Sequence, residues 1–125
     1  MSITPDAIYS PSSKYDHPEL NARIEVFCLR YRLPVSDAHS LQLAVEELLN
    51  LIPMDNGVNL IITKSDKCLE LEATLPKGEH PYLSEEYIKD ELSYSILEGL
   101  SETIDESTNE MNETVIRMTI RQNKI

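Results

Sequence analysis

Long apolar runs are missing from this sequence. Although 41% of its 125 residues are hydrophobic, no stretch approaches the roughly 18 to 20 residues that a bilayer-crossing helix needs. The opening MSITPDAIYS has neither the basic n-region nor the apolar h-region of a secretory leader, so a cytoplasmic protein with no membrane partner is expected. Cysteine is scarce. Cys28 and Cys68 lie in apolar stretches without CxxC spacing, which gives no support to a disulfide framework or a zinc site and leaves buried free thiols as the expectation. Positive charge is short as well, with 11 basic residues against 22 acidic ones and a formal net charge of -11. Such a chain repels a phosphate backbone and releases no counterions from it, so no nucleic-acid partner is expected. The same charge favours solubility and suits a basic partner. His17, His39 and His80 have no ligand spacing among themselves or with the cysteines, and they read as solitary surface histidines.

What is present is enough for one domain over residues 1–125, because a chain of this size buries roughly two-thirds of its unfolded surface around a single core. Residues 1–15 carry Pro5, Pro11, Ser10, Ser12 and Ser13 and read as a weakly structured arm or an edge strand around residues 7 to 9. A first helix is expected from Asp16 as N-cap, with Pro18 in the first turn, Glu19 as capping-box partner and an apolar stripe of Leu20, Ile24, Phe27, Cys28 and Tyr31. Pro34 ends it. A second helix is expected from Ser36 as N-cap, with Asp37 in its first turn and Leu41, Ala44, Val45, Leu48 and Ile52 on its apolar side. Pro53 and the turn Asp55-Asn56-Gly57 stop it.

Beyond that turn the apolar period falls from about 3.6 to 2. Residues 58 to 64 and 68 to 75 read as an antiparallel hairpin joined by Ser65-Asp66-Lys67. Leu69, Leu71, Ala73 and Leu75 share its dry face, while Glu70, Glu72 and Thr74 share its wet one. Pro76-Lys77-Gly78 and His80-Pro81 mark a loop. A third helix is then expected from Ser84, carrying Ile88, Leu92, Ile96, Leu100 and Ile104, with Gly99 weakening its middle. Residues 105 to 113 read as a loop, and 114 to 121 as a last strand. Tyr82, Tyr87 and Tyr94 are expected to pack at the core or its rim rather than to form a contact patch. The fold class implied is α+β: a two-layer α/β sandwich with a mostly antiparallel sheet and helices on one face.

Glu46 and Asn50 stand four apart on the second helix, so they share a face, opposite Leu41, Val45 and Leu48. A glutamate there can orient or deprotonate an attacking hydroxyl, and an asparagine one turn away can hold a magnesium ion that bridges phosphates. From spacing alone the pair reads first as the solvated side of an amphipathic helix.

The wider pattern is more specific. LPVSDAHSLQLAVEELLN followed by VNLIITKSDKCLELEATL resembles the front half of the small GHKL-type, Bergerat-fold ATPases that serve as anti-sigma factors and serine kinases. In them a helix ends in a short turn, a helix of the form L-x-L-A-V-x-E-x-x-x-N follows, and a β-hairpin comes next. YSILEGLSETIDE and TVIRMTIRQ resemble the closing helix and last strand of the same family. The likeness covers most of the chain and is strongest over 41 to 50. It implies a histidine-kinase-like ATPase fold, with Glu46 as catalytic glutamate, Asn50 as magnesium ligand, ATP and magnesium as cofactors, and a sigma factor or a STAS-domain antagonist as protein partner.

Two family motifs are absent. Where the family has the aspartate of a D-x-G-x-G loop, which accepts the adenine amino proton, this chain has Leu75, and Gly78 is the one glycine left nearby. Leaving that polar edge of adenine unpaired costs about 1–3 kcal/mol. Where the family has the glycine-rich phosphate loop, the chain runs Asp90-Glu91-Leu92-Ser93-Tyr94-Ser95, with no glycine and two carboxylates that repel a triphosphate. The expectation is therefore a regulatory protein-binding module, without ATP hydrolysis or kinase activity and without a cofactor, that binds a protein partner or a second copy of itself. Asn50, Leu75 and Gly78 would then be vestiges of a nucleotide site. The alternative is an active ATP- and magnesium-dependent anti-sigma serine/threonine kinase, using Glu46 as base and Asn50 for the metal, with Glu79 or Glu72 in place of the missing aspartate. A plain α/β domain with a coincidental E-x-x-x-N is the third reading.

Overall fold

The computed structural model describes residues 4–9, 17–52, 57–65 and 68–122. Along the chain come β1 (Thr4–Tyr9), α1 (His17–Arg30), α2 (Val35–Leu51), β2 (Asn59–Lys64), β3 (Leu69–Pro76), α3 (Glu91–Leu100), β4 (Ser101–Thr108) and β5 (Glu113–Ile120). The strands form one five-stranded sheet in the order β1-β2-β3-β5-β4. Every neighbouring pair is antiparallel.

Alternation puts Leu60 and Ile62 of β2, Leu69, Leu71, Ala73 and Leu75 of β3, and Ile116, Met118 and Ile120 of β5 into one buried cluster. Leu20, Ile24 and Phe27 of α1, Leu41, Ala44, Val45 and Leu48 of α2, and Leu97 of α3 complete it. Each of the larger side chains, the alanines apart, contributes roughly 1.5–3 kcal/mol relative to exposure. The result is the expected α+β two-layer sandwich. α1 packs on β1 and α2, α2 on α3 and β5, and α3 on β4, so the helix layer follows the order of the strands beneath it. On the open side of the sheet Arg117 reaches Glu72 at 2.5 Å and Glu70 at 3.3 Å, tying β5 to β3.

The hairpin has the expected faces, with Leu60 opposite Ala73 and Ile62 opposite Leu71. Its turn is closed by the Ser65 N–H donating to the Cys68 carbonyl at 2.9 Å and the Cys68 N–H donating to Ser65 Oγ at 3.2 Å. Position 68 at this turn is why one cysteine departs from expectation. Cys28 is buried, but Cys68 is exposed, and both are free thiols. The first helix agrees with its expected stripe, although the proposed cap Asp16 lies outside the described residues, as do Pro53, Asp55 and Asn56 of the stop signal.

Three boundaries need correction. α2 starts at Val35 after Pro34, without a side-chain cap, rather than after Ser36; Pro34 has the fixed φ that a helix entry tolerates. The third helix does not open at Ser84. It begins at Glu91, where the Asp90 side chain accepts from the Ser93 N–H at 3.1 Å, a geometry that supplies the N-terminal cap. Nor does it reach Ile104: the Ser101 hydroxyl and N–H both donate to the Leu97 carbonyl, and the chain leaves in extended form as β4. Residues 105 to 108, expected as loop, therefore continue that strand, pairing Asp105 with Arg117 and Thr108 with Thr114.

Candidate functional site

α2 is amphipathic, and its outer side holds Glu46 and Asn50, both exposed. At the C-terminal end of that face Asn50 Nδ2 donates to Ser93 Oγ at 3.5 Å, a long and therefore weak bond. It brings the E-x-x-x-N pattern against the first turn of α3. Ser93 is itself buried, and its N–H is the one held by Asp90. The start of α3 thus has a carboxylate of its own where a bound anion would sit at a helix N-terminus.

Leu75 and Gly78 lie elsewhere. Leu75 is 1% exposed, inside the core, and pairs with Thr114 across β3 and β5. Gly78 lies beneath the ring of Tyr82, where an added Cβ would stand 2.8 Å from Tyr82 Oη. That ring is fixed, because its hydroxyl donates to the Pro76 carbonyl at 3.0 Å. Burial, followed by the nearby Glu106 carboxylate, pushes the Tyr82 phenol above its ordinary value.

Residues 77 to 90 link β3 to α3, and they are fastened down. Glu106 on β4 accepts from the Tyr82 N–H at 2.9 Å and the Leu83 N–H at 2.8 Å, one backbone amide to each carboxylate oxygen. Charge-assisted bonds of this kind are among the stronger ones a surface loop makes. His80 and Tyr87 stack across the segment, with ring centroids 3.9 Å apart and planes 1° from parallel. Tyr94 is half-buried, its phenol pushed up by burial and then by Glu98 and Glu85. Two open hollows flank the segment. One of about 410 Å³ runs from Leu51 past Gly78, His80, Tyr82 and Tyr87 to Lys89. The other, about 200 Å³, lies between Lys77, His80, Glu106, Thr108 and Thr114.

The structure therefore brings Asn50 to the start of α3 and leaves Glu46 in solvent. It places Leu75 in the core and Gly78 under a tyrosine, and Glu79 is exposed in the fastened segment. Glu72, the other candidate to replace the aspartate, is engaged by Arg117 on the open sheet face. Two residues organise this region: Asp90, read in the sequence only as a repelling carboxylate and not as a helix cap, and Glu106, which had no assigned role. Asp90-x-x-Ser93 is a readable capping pattern, whereas nothing local marks Glu106, whose partners stand 23 and 24 residues away. Among the described residues no group of three or more His, Cys, Asp or Glu side chains is placed to hold a metal ion. Among them, too, no helix is long and apolar enough to cross a membrane. No family model matches the chain, and no curated protein matches it.

Proposed function

We propose that this protein is a cytoplasmic regulatory module that acts by binding another protein, and that it resembles the GHKL anti-sigma ATPases in fold while having lost their nucleotide chemistry. The observation that carries the reading is the start of α3. A phosphate-cradling helix needs open N–H groups and positive potential. Here the Ser93 N–H is taken by Asp90, and Asp90 and Glu91 put two carboxylates at the mouth. Leu75 adds to the case, since an adenine contact at that position would need a polar group in the β3–β5 core. The partner is a protein of the kind such factors engage, a sigma factor or a STAS-domain antagonist.

Isothermal titration with ATP and with ADP, each with magnesium, is expected to give no binding heat. Micromolar affinity for either would overturn the loss of nucleotide chemistry. One observation favours an active ATP- and magnesium-dependent kinase instead, namely that Asn50 lies beside the start of α3. Phosphate transfer to a co-purifying protein that vanishes in Glu46→Ala would establish that reading.

A further inference from the structure

The sheet order β1-β2-β3-β5-β4 ends on two edges, and they are not alike. β1 is 6 residues long, contains Pro5 and shifts register between Ala7 and Tyr9. A proline and a bulge both discourage a further strand. β4 is 8 residues long, has no proline and keeps an unbroken register with β5 from Thr103 to Thr108. Among the described residues no strand pairs with its other edge.

Which main-chain groups of β4 face outward follows from the turn after it. The Asn109 N–H donates to the Glu113 carbonyl at 3.0 Å, so residue 109 turns its main chain toward β5. Alternate residues of an antiparallel strand do the same. Thr103, Asp105 and Ser107 are thereby committed to β5, and the N–H and C=O groups of Ile104, Glu106 and Thr108 point away from the sheet. Tyr82 and Leu83 bond to the carboxylate of Glu106, not to its main chain. Toward its end the same edge borders the hollow of about 200 Å³, whose lining includes Glu106, Ser107 and Thr108.

The side chains of β4 have one sign of charge. Glu102, Asp105 and Glu106 are acidic, and no basic residue stands among them. Asp105 lies across from Arg117 on the open side of the sheet, where Arg117 is already held by Glu72 and Glu70. Half-buried Ile104 lies across from buried Met118, which puts it on the helix side.

We infer that the open edge of β4 takes up an extended basic segment of a partner protein as an added strand, with its Lys or Arg side chains beside Asp105 and its apolar ones beside Ile104. The outward main-chain groups supply the bonds, and the alternating side chains supply the selectivity. Charge chooses the occupant. A second β4 laid alongside would set Glu102, Asp105 and Glu106 against the same carboxylates, on a chain whose net charge is already -11, and like charges on neighbouring strands are destabilising. A basic strand meets the opposite sign, so one acidic edge rejects further copies of this chain and accepts its complement. The inference rests on the strand edge alone. A lost nucleotide site neither supports nor weakens it, and the titration with ATP tests that reading separately.

A capped peptide of alternating Lys and Val, 8 residues long to match β4, is the probe, and a Glu-Val peptide of the same length is the control. On adding the Lys-Val peptide to the full chain, hydrogen exchange is expected to slow at the amides of Ile104, Glu106 and Thr108. Exchange at Thr103, Asp105 and Ser107, already bonded to β5, is expected to stay unchanged. Thr108→Pro removes one outward N–H without touching the β5 ladder and should weaken binding about fivefold. Glu102→Lys combined with Asp105→Lys should weaken it about tenfold. Circular dichroism is expected to report an intact fold for both variants. Binding that leaves the outward amides unprotected overturns the inference, as does an absence of binding at millimolar peptide. Equal protection by the Glu-Val peptide removes the basic partner. Protection that develops without peptide as the protein is concentrated puts a second copy at the edge and also overturns it.

Discussion

Two main-chain amides, those of Tyr82 and Leu83, end on the single carboxylate of Glu106. Replacing it with Gln keeps the shape but leaves one oxygen to accept, so Glu106→Gln is expected to cost about 1–3 kcal/mol. Hydrogen exchange should read the loss locally, as faster exchange of those two amides than of the β3 amides. The thiols are separable in the same way. Cys68 is exposed and should react with a disulfide reagent in the native protein, while buried Cys28 should react only as the chain unfolds.

Burial, with Glu25 adding to it, raises the Cys28 thiol above its ordinary 9.0. The native state therefore keeps a proton that the unfolded state releases, and this contribution to stability is complete below 9.0 and is lost as pH rises past it. Denaturant midpoints between pH 8 and pH 10 are expected to fall less in Cys28→Ala than in the wild type. At this scale the sequence made Glu46 and Asn50 legible, because helical phase alone puts them on the outer side of α2. It misplaced Cys68, whose exposure comes from a turn, and gave no sign of Glu106, whose partners are remote in the chain.

Among the elements, the boundary between α3 and β4 is the least legible. Ile88, Leu92, Ile96, Leu100 and Ile104 keep a four-residue spacing straight through it, yet Leu92 faces solvent and Ile104 is on a strand. Two polar residues set the ends instead. Asp90 starts the helix and Ser101 stops it, each by a bond to one backbone group. Asp90→Ala should cost about 0.5–2 kcal/mol, with Asp90→Asn milder, measured as denaturant midpoints. The β2–β3 hairpin was legible because period-2 alternation with one dry face admits one register: a slip by one residue would turn Leu69, Leu71, Ala73 and Leu75 into water.

Across the whole molecule the layered architecture was legible because α1, α2, β2, β3 and β5 write their buried faces into their own apolar periods. β4 hid because its neighbours, not its side chains, hold it: Glu102, Thr103, Asp105, Ser107 and Thr108 are exposed. Stability accordingly resides between the layers. Leu48→Ala or Leu71→Ala, at fully buried positions, should each cost about 2–5 kcal/mol, a large share of the 5–15 kcal/mol typical of a domain. The Arg117 ion pairs are half-exposed, and Arg117→Ala should cost no more than about 1 kcal/mol. Unfolding in urea distinguishes the two.

The sheet order also fixes a sequence of assembly. The pairs β2–β3 and β4–β5 close over short turns, but Thr4 finds Lys64 only after both long helices have been made. Closing so long a loop carries the larger entropic cost. On the ribosome β1 leaves the tunnel first and must wait, unpaired, until β2 has followed it out. The first strand synthesised thus stays an unpaired edge until both long helices and its partner have followed it.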